Sequence, residues 1–334
     1  MPRPLAVEIL DAIITSYRNQ RMRDHHGRRD SDYDYEAGEF TRLDETDEDD
    51  ESERDFDVGE FTRLEVSVPF EVEIRTGKRP SVRATGPERA LDKLSVEHKR
   101  DRLLIGCDGD GAGDVHILVD VQDLKALRMT GSGDVSVDRL KGERFDCSSA
   151  GSGDLAIDEI DVRSLKLAAA GSGDIEIDKV RAAEFEATLG GSGDLSIDSV
   201  ESAEFALAVK GSADTRIDEY RGDQFSAVLS GSGDLAVESL EADGVKLSLF
   251  GSGDARIGEG RATVAALETS GSGDIDADGL ETAEANISTS GSGDISACAT
   301  DAAEVNVMGS GDVTVTGGAK ATVRASGSGD VRLS

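Results

Sequence analysis

From Val135 onward, apolar residues return at fixed places in a twenty-residue frame. Each frame can be counted from the first glycine of a Gly-Ser-Gly-Asp tetrapeptide. Positions 5 and 7 are then apolar, as in Val135/Val137, Leu155/Ile157, Ile175/Ile177 and Leu195/Ile197. Position 10 adds Leu140, Ile160, Val180, Val200 and Tyr220, and positions 15, 17 and 19 are apolar or small, as in Leu165/Leu167/Ala169. Alternation with period two is the signature of a half-buried strand. The frame predicts two short strands per coil, with a turn at Gly-Ser-Gly and a corner near position 10. A repeat of this length means a solenoid, because a single coil cannot bury its own apolar side. The fold class expected is all-β: a single-stranded parallel β-helix of about 20 residues per coil, preceded by an N-terminal α-helix.

The tetrapeptide occurs at Gly131, Gly151, Gly171, Gly191, Gly231, Gly251, Gly271 and Gly291, with looser copies at Gly111 and Gly211 and two after shortened steps at Gly309 and Gly327. Stacked about 4.8 Å apart, these coils predict a rod of roughly 50–55 Å plus its opening section. Phe185, Phe205 and Phe225 fall in one inward column. The glycines are expected to supply positive φ and close backbone approach at the turn. Toward the C-terminus the inward columns shrink to Ala265, Ala285 and Ala297, which predicts a thinner, less stable end. A pentapeptide-repeat helix shares the twenty-residue coil, but positions 7, 17 and 19 are apolar too, and period two fits better than period five.

Upstream the pattern changes three times. Residues 1–29 contain an amphipathic helix over 5–23, with Leu5, Ile9, Ile13 and Tyr17 on one face, which suits a capping or partner-docking helix or a membrane-surface anchor. Residues 30–57 read as an acidic disordered linker, since so dense a charge run buries too little apolar surface to offset its ordering entropy. Residues 58–110 form the opening and capping section, where Leu64, Val66, Val68, Phe70, Val72 and Ile74 alternate with polar residues. The regular repeat occupies 111–334. Gly38-Glu39-Phe40-Thr41-Arg42-Leu43 recurs as Gly59-Glu60-Phe61-Thr62-Arg63-Leu64, so the linker holds either a duplicated strand start without its continuation or an alternative edge that competes with the second copy.

The run Phe61-Thr62-Arg63-Leu64-Glu65-Val66-Ser67-Val68-Pro69-Phe70-Glu71-Val72-Glu73-Ile74, followed by Leu91-Asp92-Lys93-Leu94 and then Gly-Ser-Gly-Asp coils, resembles the bacterial family called putative auto-transporter adhesin, head GIN domain. The resemblance spans about residues 58–334. It implies a right-handed parallel β-helix, no catalytic residues and a surface-adhesin role. The chain departs from the family in its acidic leader, its many regular coils and the lack of a recognisable export signal.

Charge narrows the partners. The 334 residues carry 69 acids against 36 basic side chains, a net charge of −33. That balance disfavours nucleic acid and adsorption to anionic lipid, and it suits a halophile's cytosol. No stretch approaches the roughly twenty apolar residues of a membrane span. Glu8 and Asp11 interrupt the only candidate signal peptide, so the default location is the cytoplasm, with the cell surface as the alternative that the resemblance implies. Cys107, Cys147 and Cys298 are too far apart for a disulfide framework or metal pair, and Cys147 falls on an inward column.

One feature invites a cofactor. Asp134, Asp154, Asp174, Asp194, Asp234, Asp254, Asp274 and Asp294 repeat at position 4, and a partial second ladder runs through Asp138, Asp158, Asp178, Asp198, Asp218 and Asp278 at position 8. Stacked carboxylates repel by about 1 kcal/mol per neighbour in water. Either each accepts backbone N–H groups at its own turn, or the row holds cations, Ca²⁺ being the oxygen-loving choice. No catalytic residues are assigned: His25, His26, His98 and His116 lie outside the coils after Gly131, and no nucleophile triad or phosphate loop is present. The functional expectation is a non-enzymatic binding rod or adhesin head. Its alternatives are a cytoplasmic or membrane-peripheral self-assembling scaffold and a divalent-cation-binding repeat. The last coil is expected to support end-to-end self-association.

Overall fold

The computed structural model describes residues 51–109 and 113–334. The helix expected over 5–23, His25 and His26, and the first copy of the duplicated strand start lie outside the described residues.

The regular coils are β9 (Val135–Ser149), β10 (Leu155–Ala169), β11 (Ile175–Leu189), β12 (Leu195–Val209), β13 (Thr215–Leu229), β14 (Leu235–Leu249), β15 (Ala255–Thr269) and β16 (Ile275–Thr289). Each pairs in parallel with the next at a twenty-residue offset, as in Leu155↔Ile175, Leu165↔Phe185 and Ala169↔Leu189. The fold is therefore a parallel β-solenoid. Two short strands per coil were expected, but one paired stretch runs from position 5 to position 19.

Burial shows where the coil bends. In β10, Leu155, Ile157, Ile160, Val162, Leu165, Leu167 and Ala169 are buried. The spacing slips from two to three between Ile157 and Ile160, and again between Val162 and Leu165. Two adjacent residues point outward at each slip, and the pairing skips Asp158/Asp178 and Arg163/Ala183 there. Each coil thus has two corners besides the Gly-Ser-Gly-Asp turn, and so three sides, where the sequence suggested a single corner near position 10. Position 12 is inward-facing in many coils, as Val162, Ala182, Ser202, Ala262 and Thr282 show.

Aromatic side chains fill the middle of the rod. Phe205 lies 4.9 Å from Phe185 and 5.1 Å from Phe225, centroid to centroid. Tyr220 joins them 5.0 Å from Phe225. Its hydroxyl is shared between the carbonyls of Gln224 (2.7 Å) and Ser202 (3.0 Å), which satisfies the one polar atom the cluster buries. Gly222 makes the room, since a Cβ there would lie 2.6 Å from that hydroxyl. Burial, and secondarily Asp223, pushes the Tyr220 phenol upward. Cys147 is buried as expected, and burial raises its thiol to about 12, so it behaves as a small core residue.

The opening section does not stack in chain order. Its strands are β1 (Glu51–Phe56), β2 (Arg63–Ser67), β3 (Glu71–Thr76), β4 (Ser81–Pro87), β5 (Leu94–Lys99), β6 (Arg102–Cys107), β7 (His116–Val121) and β8 (Ala126–Met129), with the one-turn helix α1 (Glu88–Leu91) after β4. β2 lies between β6 and β8, and β3 lies between β7 and β9, all in parallel. The rung formed by β2 and β3 is therefore inserted between the segment at 102–121 and the coil at 126–149. The sequence suggested unbroken neighbouring steps from Gly111 onward; Val68-Pro69-Phe70 takes the place beneath Gly131-Ser132-Gly133 instead.

Antiparallel strands cover the outer end: β4 pairs with β7, β1 with β4, and β5 with β6. This corrects the reach of the acidic linker, whose last residues form β1. Glu51, Glu53 and Asp55 face solvent while Ser52, Arg54 and Phe56 are half-buried, and Arg83 meets Glu53 (3.3 Å) and Asp55 (3.0 Å) across the pair. A charge-dense run can form a strand when one face is solvated and its partner supplies cations.

At the other end the coils shorten through β17 (Ile295–Val307), β18 (Val313–Thr316), β19 (Lys320–Ala325) and β20 (Val331–Leu333). Val323 and Leu333 continue the inward columns of Val305 and Val315, yet are 41% and 52% exposed.

Candidate functional site

The repeated turn sets a carboxylate at the same place in coil after coil. Proximity, not backbone angle, is what favours its glycines. A Cβ on Gly171 would sit 1.9 Å from the carbonyl oxygen of Gly151, and one on Gly173 2.0 Å from that of Gly153. Positive φ was expected here too, but none of the tetrapeptide glycines from Gly131 on adopts it.

Close stacking dictates the role of the aspartates. The N–H of position 2 reaches back to the carbonyl of position 1, as Ser172 does to Gly151 at 3.1 Å. The N–H of position 5 reaches forward to the carbonyl of position 4, as Leu155 does to Asp174 at 2.9 Å. The N–H of position 4 has no such backbone acceptor, and the carboxylate of the preceding coil takes that place. Asp154 donates to Asp134 Oδ1 at 2.9 Å, Asp174 to Asp154 at 2.8 Å and Asp194 to Asp174 at 2.8 Å. The series continues through Asp214, Asp234, Asp254, Asp274 and Asp294 to Asp312 and Asp330. The expected bond was to each residue's own turn; the observed one spans a whole coil. These charge-assisted bonds offset the repulsion within the row. The eight aspartates singled out as cation candidates form this ladder, which commits one oxygen of each. Among the described residues, no three His, Cys, Asp or Glu side chains gather into a group that could hold a metal ion.

A substitution pair separates these roles. Asp174→Ala leaves the Asp194 N–H without an acceptor and is expected to cost about 1–3 kcal/mol. Asp174→Asn keeps an oxygen in place while removing one charge, and is expected to match the wild type or exceed it at low salt. Urea melts at two ionic strengths measure both, and an Asn variant as unstable as the Ala variant would sink the backbone-acceptor role.

The second row, at position 8, lies on a corner with less help. Asp138 accepts from the Thr76 N–H at 3.0 Å. Asp158 is held above its usual carboxylate range by desolvation, then by Asp178 and Asp138; Asp178 is raised by desolvation, then by Asp198. A folded-state value above the unfolded one means that this group's favourable contribution is fully present below the unfolded value and is lost as pH rises through the folded one. Asp158→Asn should therefore stabilise the protein at pH 7, by about 0.5 kcal/mol once solvent screening is allowed for. That gain should fade as pH falls below the ordinary carboxylate value of 3.8. Denaturant melts on either side of that value check the sign.

Position 11 carries a pattern that a search for catalytic motifs passes over: Lys141, Asp161, Arg181, Glu201, Arg221, Glu241, Arg261 and Glu281 alternate in sign coil by coil. Because coils stack in register, alternation along the sequence becomes attraction along the rod. Arg181 meets Glu201 at 3.2 Å and Glu159 at 3.1 Å, and Arg221 meets Glu241 at 3.3 Å and Glu219 at 2.6 Å. Beside the turn, an open trough of about 1060 Å³ runs from Thr130 to Ser212 and is floored by Gly, Ser and Ala. The outer surface is thus an acidic side, a short ion-paired side between the two corners and a side of small residues. His98 contacts the Glu60 carbonyl at 3.1 Å, and His116 lies 3.8 Å from Glu73. No helix of the described residues is long and apolar enough to cross a membrane.

No protein of curated function matches the chain. Solved structures to which the chain is similar include a putative adhesin from Bacteroides fragilis (18% identity, covering 85% of this chain and 97% of that one, TM-score 0.33). A putative lipid binding protein from Parabacteroides distasonis is similar at 19% identity (85% and 96% covered, TM-score 0.35). A putative adhesin from Parabacteroides merdae is similar at 15% identity (85% and 96% covered, TM-score 0.41). The family model described as putative auto-transporter adhesin, head GIN domain, matches residues 60–219 and 206–319. Since those matches together take in the opening section and nearly all the coils, the chain belongs to that family.

Proposed function

We propose that this protein is a non-enzymatic binding rod that works as an adhesin head at the cell surface. Family membership carries the reading. It is supported by a body whose coils from Gly131 to Gly291 step by twenty residues without an inserted loop, so that the rod offers long side-chain arrays in place of an enclosed cleft. Extended, regular faces suit repetitive or large partners bound at many weak points.

Protease shaving of intact source cells, followed by detection of the coil region, tests the location. Loss of the signal before lysis is the expected result. Protection until lysis would overturn the surface role and leave the cytoplasmic or membrane-peripheral scaffold in its place.

A further inference from the structure

The three sides of the rod differ sharply in charge. Over the seven coils from Gly151 to Ser290, the outward positions 4, 6 and 8 carry fifteen carboxylates against Arg216 and Arg256. Over the same coils, the equally numerous positions 16, 18 and 20 carry two carboxylates, Glu186 and Glu268, and three lysines, Lys166, Lys210 and Lys246. The remaining residues on that side are Ala, Ser, Thr, Gly, Val and Asn, together with Phe250. Phe250 and Met308, 51% and 62% exposed, both stand in the position-20 column. Apart from Val323 and Leu333 in the last two coils, they are the exposed large apolar side chains of the described residues.

We propose that two copies of this chain associate through this side, sheet against sheet about a two-fold axis. Charge selects the occupant. On any acidic side a second copy of a chain with net charge −33 would bring carboxylates against carboxylates, whereas on this side the net charge is close to zero. Area permits it. Those seven stacked coils by six residue steps give about 34 Å by 20 Å, on the order of 700 Å², which is within one partner's share of a standard specific interface. Shape permits it as well: small outward side chains let two flat sheets approach at about 10 Å, and a two-fold arrangement closes the assembly. The inference stands independently of the adhesin reading.

Sedimentation velocity on the full chain at about 100 μM and about 0.5 M salt, where residual repulsion is screened, is the test. The expected mass is twice 35.1 kDa. The double variant Ala208→Glu/Val228→Glu should sediment as a single chain with its dimer affinity weakened by about 100-fold or more, because it sets four carboxylates in the contact. The variant should stay folded at the salt of the test, where repulsion between the two stacked carboxylates is screened, since Glu268 already occupies the same outward column. Leu333→Glu, in the last coil, should leave the dimer intact. A single-chain mass for the wild type overturns the proposal, as does a dimer that survives the double substitution. A dimer lost in Leu333→Glu alone would overturn it in favour of end-to-end association.

Discussion

Gly171→Ala is expected to be among the most damaging single substitutions in the rod, costing about 3 kcal/mol or more despite adding one methyl group. The added carbon would fall 1.9 Å from the Gly151 carbonyl oxygen, where the fixed object is backbone that also accepts the Ser172 N–H. Relief requires the coils to separate locally, which strains the Asp174 and Asp194 bonds beside the turn. Position 3 should be more tolerant, because Ala213 already stands there, buried. Chemical denaturation of Gly171→Ala beside Gly193→Ala checks the contrast; equal losses would show that the two glycines do not differ in kind.

Phe205→Ala is the second large effect, at about 3–5 kcal/mol. The ring sits between Phe185 and Phe225 and 5.9 Å from Tyr220, so its removal opens a cavity that rigid neighbours on both sides cannot fill. Because coils touch only their neighbours, the damage should appear as local opening around residues 185–225 before global melting. Hydrogen exchange on the variant would report it. Uniform protection across that region, with a loss below about 1 kcal/mol, would mean that the column is not close-packed.

The repeat period and the inward columns at positions 5, 7, 10, 15, 17 and 19 were legible in the sequence, because large apolar residues mark them in most coils. Position 12 was not, since Gly142, Val162, Ser202, Gly222 and Thr282 share little except modest size. The second corner was therefore missed along with it. The aspartate ladder was visible as a column, but its bonding was hidden: the acceptor and its N–H lie a full coil apart, and local turn chemistry offered a nearer partner. Charge alternation at position 11 was there to be read, yet it gains meaning only once stacking puts Arg181 beside Glu201. The inserted rung could not be inferred, because β2 and β3 alternate like any strand and only their pairing with β6, β7, β8 and β9 reveals the order.

That inserted rung makes the rod mechanically polar. Tension entering from the β1 side first peels β1 from β4, its one strand partner among the described residues, and then reaches β2, which is hydrogen-bonded on both flanks and must break two ladders before it yields. Tension entering through β20 meets a strand paired on one flank alone, with β18, and can unzip the rod one rung at a time. Forced unfolding is governed by the barrier to the first irreversible step, so the same chain is a clamp when pulled from one end and a zipper when pulled from the other.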